Sequence, residues 1–310
     1  MHSPLTRRQF MAGTALASLA VASSLAPRVG GVEPFNRPGK PRLRLGLAAY
    51  SFRQYFAGSQ DAAQATRKDK KIDLFSFVDY CAEHGCDGAE LTSYYFPPNA
   101  DSDYMLKLKR HAFIRGVSVS GTSVGNTFTH PAGPEREKQL ALLNKWIDNA
   151  ALLGAPHLRI FAGNAQKEGK EKAKQDCLET LKIACENAGK KGVMLGLENH
   201  GGIVAEANDL LDLVKAVDNP WLGINLDTGN FRTADPYGDL AKCAPYAVNV
   251  QIKTELAARG EKKSEANLER LVKILRDANY QGFVTLEYEA APDPWDAVPQ
   301  IIERLRPLLA

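Results

Sequence analysis

The chain has 310 residues, of which 44% are hydrophobic and 24% are charged, and its formal net charge is +3. This composition is typical of a globular protein, because a disordered chain has fewer apolar residues and a larger net charge. The near balance of charges argues against a protein that binds nucleic acid through a strongly basic surface. The length allows one large domain or two ordinary ones.

Residues 1–26 carry the pattern of an export signal. Arg7 and Arg8 are followed by a short apolar run that is rich in Ala and Ser. A basic start before such a run is typical of secretory signals, and the run is too short and too rich in small residues for a good membrane span. The segment resembles a twin-arginine (Tat) signal, which predicts a periplasmic protein. Membrane association is expected only if the signal is retained as an anchor, and a plain amphipathic helix is the alternative.

The chain contains five cysteines, and none of them belongs to a CxxC pair. This spacing argues against a structural zinc site. The chain is long enough to bury a hydrophobic core without disulfides. We therefore expect buried free thiols at Cys81, Cys86, Cys177, Cys185 and Cys243.

After a linker predicted over residues 27–42, which are rich in Pro, Gly and Arg, short apolar runs alternate with amphipathic stretches. This alternation predicts β/α units and a parallel sheet. The eight runs, predicted as strands, are 43–50, 88–92, 117–121, 157–161, 193–198, 222–227, 248–252 and 283–287. Helices are predicted over 72–84, 135–153, 171–189 and 208–217, with Gly154 and Gly189 as helix stops.

Eight such units over residues 43–310 predict an α/β fold, a (β/α)₈ TIM barrel that forms a single domain. Barrels of this kind typically take ~250 residues. The alternative, an open doubly wound sheet, usually carries a Gly-rich phosphate loop after its first strand. Here the first strand runs into the segment YSFRQ at Tyr50, which has no such loop.

Four consecutive predicted strands end in side chains with oxygen atoms, and these are Glu198, Asp227, Gln251 and Glu287. The chemistry of a TIM barrel is located at the C-terminal ends of its strands. Three carboxylates that converge there would repel one another, and a divalent cation would remove the repulsion. A donor set made only of oxygen favours Mg²⁺ or Mn²⁺ over zinc. The alternative is that each carboxylate caps a helix or pairs with a lysine.

The residues two positions before these strand ends are predicted to form a second inward-facing layer, because alternate residues of a strand share a face. They are Gly196, Asn225, Asn249 and Thr285. Polar groups in such a layer need hydrogen bonds, and they are suited to orienting the residues above them. A single β-bulge would reverse the prediction.

The four strand ends resemble the metal ligands of the xylose isomerase-like TIM barrel superfamily, and the resemblance extends over about residues 43–310. The matching segments are LENHGG at Glu198, LDTGN at Asp227, VQIK at Gln251 and TLEYE at Glu287. Many members have His where this chain has Gln251, whereas hydroxypyruvate isomerase-like members have Gln. The resemblance implies one divalent cation, Mn²⁺ or Mg²⁺, and a small-molecule carbohydrate substrate, and it allows a homodimer.

The resemblance further implies an isomerase or epimerase that acts on a sugar or keto-sugar through an enediolate. Glu198 and Glu287 would then be both ligands and the acid and base, with Asp227 and Gln251 mainly ligands. A lyase or dehydratase acting on a keto-sugar, keto-inositol or 3-keto-glycoside shares the proton-abstraction step and stays open, as does a non-catalytic sugar-binding barrel. The endonuclease IV branch needs a three-metal site with many His ligands. This chain has six His in all, and only His200, together with His130, is well placed for such a site. No nucleic acid partner is therefore expected.

Five further residues near the strand ends are predicted to contact substrate, namely His200, Asn230, Arg159, Lys253 and Tyr50. The alternatives are a loop hydrogen bond for His200, an ion pair with a carboxylate for Arg159 and a solvent-exposed position for Lys253. Aromatic faces suit sugar rings, although packing is the alternative for each of Tyr50, Phe52, Tyr94, Tyr95 and Phe96. No role is predicted for Glu289.

Overall fold

The computed structural model describes residues 33–310, so the predicted export signal lies outside the described residues. The described residues form a closed barrel of eight parallel strands, in which each barrel strand pairs with the next one along the chain and the last pairs with the first. Helices alternate with the strands along the chain. The predicted (β/α)₈ barrel is therefore confirmed. Over residues 33–310, every helix is too short or too polar to cross a membrane.

The strand and helix bounds agree with the predicted apolar runs and amphipathic stretches to within a few residues. The barrel strands are β1 (Arg42–Ala48), β2 (Gly88–Thr92), β3 (Ser118–Ser123), β4 (His157–Ile160), β5 (Met194–Glu198), β6 (Leu222–Asp227), β7 (Ala247–Ile252) and β10 (Gln281–Leu286). A short antiparallel ribbon, β8 (Glu255–Leu256) and β9 (Ser264–Glu265), follows β7. The helices are α1 (Leu74–Glu83), α2 (Ser102–Ile114), α3 (Pro134–Leu153), α4 (Lys170–Lys191), α5 (Ala207–Val217), α6 (Pro236–Cys243), α7 (Leu268–Asp277) and α8 (Pro294–Leu309).

The sequence predicted that helix α4 stops at Gly189, but the helix continues to Lys191. Its end is at Gly192, which has a φ of +69° and so takes the left-handed conformation that favours glycine. Gly189 instead allows close packing, because a Cβ at this position would lie 2.5 Å from Cδ1 of Trp221.

Two layers of side chains lie along the barrel strands, and both layers are buried. Leu195, Leu197, Ile224 and Leu226 are fully buried. Between them along the strands lie small or polar residues such as Asn225, which is also fully buried. Since alternate residues of a strand face opposite sides, the apolar set packs under the helices and the polar set faces the barrel interior.

Residues 33–41, the C-terminal part of the predicted linker, contact the barrel where strands begin. The Phe35 amide donates to the Pro245 carbonyl at 3.1 Å. The Asn279 side-chain amide donates to the Arg37 carbonyl at 2.6 Å, and the Gln281 amide donates to the Pro38 carbonyl at 2.6 Å. This segment therefore covers the end of the barrel that is opposite to the strand C-termini.

All five cysteines are buried free thiols, as predicted. Burial raises the pKa of Cys185 and of Cys243 to about 12. These thiols therefore stay protonated near neutral pH and are poor nucleophiles.

Candidate active site

A cavity of about 230 Å³ lies at the C-terminal ends of the barrel strands. We call it the acidic cavity. Parallel strands of a closed barrel end at one rim, which is why residues far apart in sequence meet here. The lining residues are Tyr50, Thr92, Tyr94, Arg159, Phe161, Glu198, His200, Asp227, Asn230, Lys253, Glu287 and Glu289. Eight of the nine predicted site residues therefore line one cavity, and the exception is Gln251.

Gln251 lies in a buried hydrogen-bond network inside the barrel and is 2% exposed. Its Nε2 donates to Oε1 of Glu90 at 2.7 Å, and its Oε1 accepts from Nδ2 of Asn225 at 2.7 Å. Nδ2 of Asn249 donates both to Oε2 of Glu90 and to Oδ1 of Asn225, each at 2.8 Å. Asn225 and Asn249 thus form the predicted inward-facing polar layer, and this layer fixes the orientation of the Gln251 amide.

Glu90 on β2 is a member of this network that sequence reasoning missed. It is 1% exposed. Burial, followed by the negative charge of Glu287, raises its pKa to about 7. The available signal was an acidic residue in the middle of the segment GAELT, two positions before Thr92. Alternation along the strand would have placed Glu90 on the same inward face as Thr92.

Lys253 is buried among three carboxylates rather than exposed to solvent. Its Nζ lies 2.8 Å from Oε1 of Glu287, 3.0 Å from Oε2 of Glu289 and 3.2 Å from Oδ2 of Asp227. Burial alone would lower the pKa of this amine, but the three carboxylates outweigh burial and raise it. Lys253 is therefore an ammonium ion that joins Asp227 to Glu287 and Glu289, the two acids that follow β10. The contact also gives Glu289 a place in the site, since Lys253 lowers the pKa of Glu289 despite partial burial.

Glu198 is held on both oxygens. Nε of Arg159 lies 3.0 Å from its Oε2, and Nδ2 of Asn230 donates to its Oε1 at 2.9 Å. The guanidinium of Arg159 also lies 4.0 Å from the ring centre of Phe161. Burial raises the pKa of Glu198 well above its ordinary value, although Arg159 acts in the opposite direction. The ion pair considered as the alternative for Arg159 is thus present, while the residue still lines the cavity.

The acidic cavity carries more negative than positive charge. Four carboxylates (Glu198, Asp227, Glu287, Glu289) face two cations (Arg159, Lys253), which leaves two negative charges when all are ionised. Burial raises the pKa of Asp227 to about 6, with Lys253 opposing the shift and Glu287 adding to it. One divalent cation would balance this excess.

A divalent cation fits the donor chemistry, because carboxylate oxygens are the ligands that Mg²⁺ and Mn²⁺ prefer. Glu198, Asp227 and Glu287 could hold it. As the side chains of residues 33–310 stand, no three His, Cys, Asp or Glu residues converge closely enough for a metal site. Lys253 and Arg159 already occupy the carboxylate oxygens, so a bound cation requires at least Lys253 to move.

His200 and the aromatic residues form the outer wall of the site. The His200 ring centre lies 4.4 Å from that of Phe161. Partial burial and then Arg159 lower the pKa of His200. This favours the neutral imidazole, which can both donate and accept a hydrogen bond.

The five predicted aromatic residues divide between wall and core. Tyr50 and Tyr94 line the acidic cavity, and Tyr94 is 48% exposed. Phe52 is fully buried against Trp295, and Phe96 packs against Trp146. The packing alternative therefore describes Phe52 and Phe96, whereas Tyr50 and Tyr94 can contact a ligand.

The sequence model for the family described as "Xylose isomerase-like TIM barrel" matches residues 78–308. The chain is 31% identical over 131 residues to "Probable endonuclease 4" from Methanoculleus marisnigri, a match that covers 38% of this chain and 46% of that protein, which is less than half its length. It is 23% identical over 221 residues to "3-oxo-isoapionate decarboxylase" from Pectobacterium atrosepticum, covering 71% of each.

A solved structure of similar fold is that of 3-keto-D-glucoside 4-epimerase from E. coli. It superimposes with a TM-score of 0.64 at 15% sequence identity and covers 86% of this chain and 100% of that one. At this level of identity the likeness concerns the fold.

Proposed function

Because the chain belongs to the xylose isomerase-like TIM barrel family, we propose that it is an isomerase or epimerase that acts on a sugar or keto-sugar and uses one divalent cation, Mn²⁺ or Mg²⁺. The observation that carries this proposal is the acidic cavity. It brings Glu198 and Glu287, which follow different strands of the barrel, to one space of about 230 Å³ in which four carboxyl groups face two cationic side chains.

Glu198 and Glu287 are the residues proposed to move protons at a substrate carbon next to a carbonyl. Asn230 and Arg159 hold the two oxygens of Glu198, so its carboxylate is positioned before substrate binds. Lys253 holds Glu287 in the same way at 2.8 Å. Such fixed geometry lowers the entropic cost of proton transfer.

The cation would be held by Glu198, Asp227 and Glu287, with Gln251 in support through its buried network. When bound, it would supply Lewis-acid stabilisation of the charge that develops on the substrate oxygens. Lys253 would then be free to contact the substrate. The other residues proposed to bind the substrate are His200, Asn230, Arg159 and Tyr50. The substrate is a small carbohydrate.

A lyase that acts on a keto-sugar, keto-inositol or 3-keto-glycoside is the second candidate. The similarity to 3-oxo-isoapionate decarboxylase over 71% of the chain favours it. The proton chemistry at Glu198 and Glu287 would be shared, and only the group lost from the substrate would differ.

We also propose that the chain is exported through its twin-arginine segment.

The test is the incorporation of solvent deuterium into keto-sugars, followed by NMR, with metal-depleted protein before and after Mn²⁺ is added. Incorporation is expected only with the cation, and Glu198→Gln or Glu287→Gln should reduce it at least about 100-fold, since general acid–base catalysis contributes 10²–10⁴. Glu289→Gln is the matched control, because it removes a charge from the same cluster without removing a proposed proton-transfer group. Its activity should remain within about tenfold of the parent.

The products distinguish the candidates. An isomeric sugar supports the isomerase or epimerase, and a fragment or a dehydrated product supports the lyase. Sugar binding without exchange, and without a bound cation by metal analysis, would support a non-catalytic binding barrel. If the Glu198→Gln and Glu287→Gln variants exchanged deuterium as fast as the parent protein, the assignment of these residues as proton-transfer groups would be refuted.

A further inference from the structure

A second cavity of about 390 Å³ adjoins the acidic cavity, and the proposed reaction makes no use of it. We call it the tyrosine cavity. Its lining residues are Tyr50, Gly58, Ser59, Gln60, Asp61, Tyr94 and Tyr95. Tyr50 and Tyr94 line both cavities, so they form a shared wall. A ligand that extends past this wall from the acidic cavity would enter the tyrosine cavity.

The tyrosine cavity is built by an unusually long connection. Residues 53–73, between the 3₁₀ turn that follows β1 and helix α1, far exceed the usual 2–6 residues of such loops. The loop is fixed to the barrel, because the Tyr55 hydroxyl donates to Asp293 and the backbone at Phe56 pairs with that at Ile72. Long loops on this face of a TIM barrel determine what the enzyme binds.

The lining of the tyrosine cavity suits a sugar ring. Tyr95 is 9% exposed and its ring is stacked on Phe56, with centres 4.1 Å apart, so it forms a fixed base for the cavity. Tyr94, at 48% exposed, is the lining residue whose ring is open to a ligand. Aromatic faces pack against the C–H faces of sugars. Ser59, Gln60 and Asp61 add hydroxyl, amide and carboxylate groups that can bond sugar hydroxyls.

The volumes of the two cavities also favour a ligand larger than one sugar ring. The acidic cavity alone, at about 230 Å³, is below the ~300–1,000 Å³ range of pockets that enclose drug-sized ligands. It can therefore take one small ring. Together with the tyrosine cavity, the space falls within that range.

We infer that the substrate is a disaccharide-like glycoside, whose reacting ring occupies the acidic cavity and whose second sugar ring occupies the tyrosine cavity. This inference rests on the proposed function, because it takes the acidic cavity as the place of reaction. It adds that the β1–α1 loop selects glycosides over free monosaccharides, with Ser59, Gln60 and Asp61 as the residues that determine specificity.

The test is calorimetric binding of four probes to the full chain, namely 3-keto-glucose and its methyl, phenyl and glucosyl glycosides, the last being 3-keto-trehalose. The glucosyl glycoside should bind at least about tenfold more tightly than 3-keto-glucose, the combined effect of one stacking contact and one hydrogen bond. Ser59→Trp, which fills the tyrosine cavity, should remove this preference and leave the binding of 3-keto-glucose unchanged. Asp61→Asn keeps the shape and should weaken only the glucosyl glycoside.

The inference would be overturned by no binding of any probe, by equal binding of 3-keto-glucose and the glucosyl glycoside, or by equal weakening of both by Ser59→Trp. Tighter binding of the phenyl than of the glucosyl glycoside would replace the second sugar with an aromatic group and would also overturn it. Turnover of free monosaccharide with no glycoside preference refutes this inference while the proposed function stands. A glycoside preference without proton exchange supports the second cavity and refutes the proposed reaction.

Discussion

His157, the first residue of β4, should make the stability of the protein depend on pH between about 6.5 and 4. The residue is 3% exposed. Its Nδ1 lies 3.0 Å from the Ser120 carbonyl, a contact that an N–H on Nδ1 donates, and its Nε2 is buried without a partner. Burial, with a smaller contribution from the positive charge of Arg159, outweighs this hydrogen bond and lowers the pKa of His157 to about 4. The folded protein therefore holds a neutral ring, since a second N–H would have no acceptor.

The sign of the effect follows from where the proton binds. In the unfolded chain the ring takes a proton below pH ~6.5, whereas the folded chain resists until about 4. Between these values the unfolded state binds more protons, so the free energy of unfolding falls as the pH is lowered. With 1.36 kcal/mol for each pKa unit, the loss from this residue reaches about 3 kcal/mol at pH 4.

The assay is urea unfolding at a series of pH values from 7.5 to 4, for the parent protein and for His157→Asn. Asparagine keeps an N–H for the Ser120 carbonyl but does not titrate. Other titrating groups act in both proteins, so the difference between the two curves isolates His157. The parent should lose about 3 kcal/mol more than the variant over this range. A flat difference, with both proteins folded at pH 4 by circular dichroism, would refute the reasoning.

Three further substitutions test the packing and charges around the site. Gly121→Ala should lower stability by at least ~1–3 kcal/mol, because the new Cβ would lie 2.0 Å from Cε1 of His157, and an unchanged melting temperature would contradict this geometry. Lys253→Met should cost ~3–5 kcal/mol in urea unfolding, since it leaves buried carboxylates without their cation, and Mn²⁺ should restore part of the loss; a variant as stable as the parent would exclude the buried ion pairs. Asn249→Leu removes two hydrogen bonds from the network around Glu90 and should cost ~1–3 kcal/mol, whereas a neutral effect would show that the network contributes little.

The charge pattern of the acidic cavity explains why the same residues can serve both stability and function. In the absence of a divalent cation, Lys253 holds Asp227 and Glu287 together, and Arg159 holds Glu198 in place. The four carboxyl groups of the cavity outnumber its two cationic side chains, and binding a divalent cation would favour their ionised forms. The chain therefore holds the carboxylates in position before the proposed cation and substrate bind.

The barrel could be predicted from the amino-acid sequence, because strand and helix patterns are local and each β/α unit repeats them. It also determined which residues meet at the rim, since a closed parallel barrel brings all strand ends to one face. This is why Glu198, Asp227, Glu287 and five of the other predicted site residues were found to line one cavity. Alternation along the strands was enough to predict Asn225 and Asn249 inside the barrel.

Which of these side chains are in contact depends on the packing of the whole barrel. Gln251 and Glu90 are 161 positions apart and meet across the barrel interior. That contact depends on barrel closure and on register shifts at Glu90 and Asn225, which no local pattern reveals. In the same way, the long Lys253 side chain could have reached solvent, and its position among three carboxylates follows from their combined charge. Hydrogen bonds and ion pairs between distant strands form only when the two side-chain atoms lie within a narrow range of distances. The register of the closed barrel sets these distances.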